Sequence, residues 1–133
     1  MPNITHINPD GMASNPAFSQ AVKVSGPAAL VFIGGQNGVD ADGQVVADDI
    51  GAQTQQALRN VVTVVEAAGG TIADIVKWNI LVTDPVALGP GFAAFQEVWG
   101  PRSDPPAISV QVVAGLANPR FLCEIEAVAA VEP

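Results

Sequence analysis

Arg120-Phe121-Leu122-Cys123-Glu124-Ile125-Glu126-Ala127-Val128-Ala129-Ala130-Val131 is the longest apolar run with strand character in the chain, and it carries two carboxylates. Strand alternation sends Leu122, Glu124, Glu126 and Val128 to one face and Cys123, Ile125, Ala127 and Ala129 to the other. The second face suits a core. The first must find water, a partner or work for two acids, because a carboxylate buried alone is costly. Solvation or a subunit contact would satisfy that demand as well as a catalytic site would.

With 133 residues the chain is read as one domain, 1–133, large enough to bury a real core. Apolar residues make up 49% and charged residues 14%, against roughly 25% charged in ordinary soluble domains. So few charges cover a small surface poorly, which points to assembly with other copies. The net charge is -8. Its cations, Lys23, Arg59, Lys77, Arg102 and Arg120, are too dispersed to track phosphates, so a nucleic-acid role is disfavoured. Cys123 is the sole cysteine, which excludes an intrachain disulfide and fits a reducing compartment. Met1-Pro2-Asn3-Ile4-Thr5 lacks the basic and apolar regions of a signal peptide, and no apolar run is long enough to span a membrane. The expected location is the cytoplasm.

Working outward, Ala21–Ser25 reads as a strand, Gly26-Pro27 as a turn and Leu30–Ile33 as its hairpin partner, after a short edge strand over Ile4–Asn8. Gly34-Gly35-Gln36-Asn37-Gly38 follows, where three glycines imply special dihedrals or a close approach. Asp40-Ala41-Asp42-Gly43 is an Asp-Gly turn rather than a calcium loop, since it lacks the distal glutamate. Asp48 or Asp49 caps a helix running to about Ala68 and closed by Gly69-Gly70. Ile50, Ala57, Leu58, Val61, Val65 and Ala68 form its apolar stripe, with Gln53, Gln56, Asn60 and Thr63 pointing elsewhere. A strand over Ile75–Thr83, a second helix from Gly89-Pro90 bearing Phe92, Phe95 and Trp99, and a strand over Ala107–Val113 complete the order β-β-β-α-β-α-β-β. That order predicts an α+β fold, two helices on one face of a mixed sheet and the other face apolar and uncovered. His6 reads as an exposed edge residue, Cys123 as a buried strand residue, and Phe95 and Trp99 as core or interface.

The chain resembles the reactive-intermediate imine deaminase family (RidA/YjgF, also described as endoribonuclease L-PSP). The resemblance rests on Phe18-Ser19-Gln20-Ala21, Gly34-Gly35-Gln36, Gln53-Thr54-Gln55-Gln56-Ala57-Leu58-Arg59-Asn60, Ala67-Ala68-Gly69, Phe95-Gln96-Glu97-Val98-Trp99, Pro106-Ala107 and Glu124-Ile125-Glu126-Ala127-Val128-Ala129, in this order. It implies a chorismate-mutase-like fold and a homotrimer with small-molecule clefts between subunits. It also implies hydrolysis of enamines or imines to a keto acid and ammonia without metal or cofactor. His6 and Cys123 alone make no metal cluster.

By that resemblance Glu124 activates water, and Gly35 contacts substrate through its backbone. Phe18 stands where the family usually has a tyrosine, and Gln96 where it often has an asparagine. The arginine of the family's Pro-Ala-Arg-Ser pattern, which pairs with a substrate carboxylate, falls on Ile108 in Pro106-Ala107-Ile108-Ser109. Losing such a charge-assisted contact costs roughly 1.5–3 kcal/mol. The expectation is therefore a cleft lined by Phe18, Ile108 and Trp99 beside Glu124, preferring a non-acidic or apolar ligand. Arg102 is a candidate substitute cation, whereas Arg120 stands about 13 Å along the strand from Glu124. The other reading is a non-catalytic trimer that binds a small molecule or regulates a partner.

Overall fold

The last strand forms from Cys123 to Val131 and lies inside the main sheet of the computed structural model, which describes residues 2–100 and 104–133. In chain order the strands are β1 (Asn3–Ile7), β2 (Ala21–Ser25), β3 (Ala29–Gln36), β4 (Ile75–Val82), β5 (Ala107–Val112) and β6 (Cys123–Val131). The helices are α1 (Ile50–Ala67) and α2 (Leu88–Trp99). The main sheet runs β3-β6-β4-β5, antiparallel except for the parallel β4–β5 pair.

One expected pairing is wrong. β2 does not turn back onto β3; it pairs with β1 in a separate two-stranded sheet, and β3 pairs with β6. β6 offers β3 a long apolar partner, which the short β2 cannot match. The final strand also begins later than its apolar run, because Asn118 turns the chain by accepting from the Arg120 and Phe121 amides.

α1 starts where Asp49 accepts a hydrogen bond from the Ala52 amide at 2.8 Å. It ends at Ala68 before Gly69, whose positive φ of 89° suits only glycine comfortably. Its stripe Ala57, Leu58, Val61 and Val65 is fully buried. Gln53, expected to point away from that stripe, is also fully buried. Its amide donates to the carbonyls of Ala47 and Arg120, and its oxygen accepts from the Leu122 amide, so every contact it makes tethers a loop. A buried amide is tolerable on those terms.

Core aromatics pack edge to face. Trp78 meets Phe95 at 5.5 Å and 86°, and Trp99 at 5.8 Å and 89°. Trp99 is therefore packed among the core aromatics. Cross-strand partners share a face, and register divides the sheet cleanly. Cys123–Val82–Val112, Ile125–Ile80–Val110 and Ala127–Trp78–Ile108 face the helices. Glu124–Leu81–Gln111 and Glu126–Asn79–Ser109 face away. The uncovered face was expected to be apolar. It is mixed: Leu30 and Phe32 are exposed on β3, while the middle carries Lys77, Asn79, Ser109 and the two glutamates.

Candidate functional site

Glu124 sits on the open face against β3. Between Ile33 and Gln36 the β3–β6 register slips by one residue, a bulge that Gly34 and Gly35 occupy. A Cβ on Gly35 would lie 2.5 Å from the Glu124 carboxyl carbon, so the glycine is there for close approach and needs no positive φ. Asn37 holds the corner: its amide nitrogen donates to the Cys123 carbonyl at 3.0 Å and reaches a Glu124 oxygen at 3.4 Å. Asn60, reached in turn by Gln56, donates to the Asn37 and Val39 carbonyls and fixes that loop to α1. The result is a half-buried carboxylate on a glycine platform with one amide donor beside it.

Phe18 and Ile108 meet elsewhere. They line a cavity of 770 Å³ on the helix side of the sheet, together with Ile80, Phe92, Phe95, Val110 and Val112. Ser19 places Phe18 there. Its amide donates to the Pro106 carbonyl at 3.0 Å and its hydroxyl to the Pro105 carbonyl at 2.6 Å, which clips the loop to the start of β5. His6, expected as an exposed edge residue, is half-buried, with Nδ1 2.9 Å from the same Pro105 carbonyl. Thr54 brings a hydroxyl to the lining, and among the described residues no cation lines the cavity.

The expected cleft thus divides within one chain. Glu124 and Gly35 occupy one face of the sheet, Phe18 and Ile108 the other, and Gln96 lies exposed on α2 among neither group. Arg120 is engaged by Asp48 at 3.1 Å, and Arg102 lies outside the described residues.

A second depression, of 570 Å³, opens on the face that carries Glu124. Lys77 donates there to the Ser109 hydroxyl at 2.6 Å, and Asn79 donates to Glu126 at 2.6 Å. Sequence reasoning passed over Lys77, Asn79 and Ser109. A lysine and an asparagine at alternate positions of the apolar β4 were the available signal. Asn37 was missed as well, and nothing but its place beside the glycine run marked it.

Known proteins share this architecture. The family model described as Endoribonuclease L-PSP matches residues 10–131. The chain belongs to that family, the Rid/YjgF proteins. It is 34% identical over 128 residues to Protein mmf2, mitochondrial, of Schizosaccharomyces pombe, covering 93% of this chain and 95% of that one. The crystal structure of a Rid-family protein of unknown function from Yersinia pestis superposes with a TM-score of 0.86 at 36% identity, covering 97% and 99% of the two chains. RidA from an Antarctic Psychrobacter superposes with a TM-score of 0.69 at 32% identity, covering 90% and 92%. The two-helix mixed sheet is accordingly the chorismate-mutase-like fold of the family. No helix among the described residues is long and apolar enough to cross a membrane.

Proposed function

We propose that this Rid/YjgF protein hydrolyses a small, non-acidic imine or enamine in clefts between the subunits of a homotrimer. The carrying observation is the Glu124 carboxylate, seated on Gly35 beside the Asn37 amide and open on its outer side. In this reading Glu124 takes a proton from water as the water oxygen bonds to the C=N carbon. Returned to nitrogen, that proton makes the amine a leaving group; as the C–N bond breaks and ammonia departs, Glu124 takes the hydroxyl proton and a C=O group is left. The Phe18–Ile108 cavity belongs to the opposite face, so a cleft with both groups needs two copies.

Ile108 directs the substrate class. Where the resemblance implies an arginine, this cavity offers a methyl surface, and a net charge of -8 provides no general attraction for an anion or for RNA. The apolar side chains that dominate the described lining also favour a second reading, a trimer that binds an apolar metabolite without turning it over.

Ammonia release decides between them. Imines are generated in situ from an acidic amino acid, an apolar amino acid and an amine without a carboxylate. The wild type is expected to prefer the latter two, Glu124→Gln to lose roughly 10²–10⁴-fold, and Ile108→Arg to shift preference toward the acidic imine. No wild-type turnover with any of the three sinks the hydrolase and leaves the binding reading.

A further inference from the structure

Lys77 and Glu126 share the open face but not each other. Lys77 is half-buried, yet its one described partner is the neutral Ser109 hydroxyl, so two of its three donors remain open. Glu126 is half-buried and accepts from the neutral Asn79 amide, with most of its acceptor capacity free. Their strands explain the separation. The Lys77 stem runs toward β5, so its ammonium stands at the sheet edge, while Glu126 rises from β6, two strands and about 10 Å away.

That edge is itself unfinished. β5 pairs with β4 on one side, and on the other, among the described residues, makes only the bridge from Ala107 to Ser19. Val110 and Val112 are about half exposed along it. A free edge flanked by exposed apolar side chains is a surface for another chain. One boundary of the molecule thus offers an ammonium and the mouth of the apolar cavity. Two strands inward on the same open face stand Glu126 and, two residues and about 7 Å along β6, Glu124.

We propose that Lys77 of one copy pairs with Glu126 of the partner subunit where the β5 edge of the first meets the open face of the second. The proposal rests on the shared-cleft reading above and names what sets its register. An edge meeting a face is a heterologous contact; with the threefold rotation of the proposed trimer it closes into a ring in which every copy gives one lysine and receives on one glutamate. The same docking carries Ile108 and Val110 toward Glu124 of the partner subunit, so the charge pair aligns the two half-sites. Covering the pair removes water from both charges, and breaking one side then leaves the other buried and unpaired.

Native mass of the full chain against concentration tests this, with Lys77→Glu, Glu126→Lys and the double charge swap beside the wild type. Each single variant is expected to raise the dissociation constant of the assembly by tenfold or more, roughly the effect of a close interfacial charge pair. The double swap is expected to recover most of it. Single variants with the wild-type dissociation constant overturn the proposal, as does a double swap that melts cooperatively but stays dissociated. If a single variant fails to melt cooperatively, Lys77→Gln and Glu126→Gln make the same comparison without repulsion. A monomeric wild type overturns it too. Turnover reads separately: assembly that follows the charges in a protein without imine hydrolysis sinks the hydrolase and leaves the pair standing.

Discussion

The two faces of the main sheet are cut from alternate residues of the same strands, yet they reach opposite ends. On the helix face Trp78, Ile125, Ala127 and Cys123 disappear under α1 and α2. On the other, Phe32 keeps 76% of its surface, and Lys77 and Glu126 settle for neutral partners. The difference teaches where folding ends and assembly begins: one face is satisfied by the chain itself, and the other holds groups that a single chain leaves half-served.

Truncating one large side chain on each face gives the largest expected difference. Trp78→Ala removes a fully buried ring that two aromatic edges depend on, and is expected to cost about 3–5 kcal/mol in denaturant unfolding. Phe32→Ala should change the stability of the dilute chain by under about 0.5 kcal/mol and weaken the assembly instead. Equal losses in the dilute chain would mean that the two faces do not divide the labour.

Two glycines repeat the comparison at a finer scale. A Cβ at Gly38 would stand 2.5 Å from the Gln53 Cα, which is backbone of a packed helix and cannot give way. Gly38→Ala is expected to cost about 1–3 kcal/mol. At Gly35 the same 2.5 Å contact is with the Glu124 side chain, which can swing aside. Gly35→Ala should therefore melt closer to the wild type than Gly38→Ala but lose ammonia release, because the carboxylate has left its seat. Paired melting curves and turnover assays separate these effects. A Gly35→Ala protein with full turnover would remove the glycine platform from the site.

These elements also mark what the sequence made legible. The period of two in β6 and the capped, glycine-stopped stripe of α1 are local patterns, and both stand in the structure. Partners are not local. Alternation says that β3 has a buried face, but not that β6 rather than β2 lies beside it. The same limit divided the expected cleft: Ile108 and Glu124 look adjacent by motif, and only the parallel β4–β5 register reveals that they face opposite ways. Gln53 misled for another reason. Polarity predicts exposure, whereas three backbone groups of two loops supply this amide with everything water would have.

The smallest expected effect joins the two faces. Cys123 lies on the helix side, and burial pushes its thiol above the ordinary 9.0; the Thr54 hydroxyl pulls it down, and the Glu124 charge adds a further push upward. A thiol whose pKa is raised by folding keeps its proton in the native state after the unfolded chain has lost its own. Stability from this group is therefore intact below about pH 9 and declines as pH rises from there toward the folded value. The loss cannot exceed about 1.4 kcal/mol per pH unit, the slope for one proton. Cys123→Ala removes the titration, so its unfolding free energy should fall less steeply than the wild type's above pH 9, whatever the cavity costs at neutral pH. Parallel slopes would show that the thiol titrates alike in both states. Glu124→Gln should shorten the wild-type decline slightly, since it deletes the smallest of the three influences across the backbone of one strand.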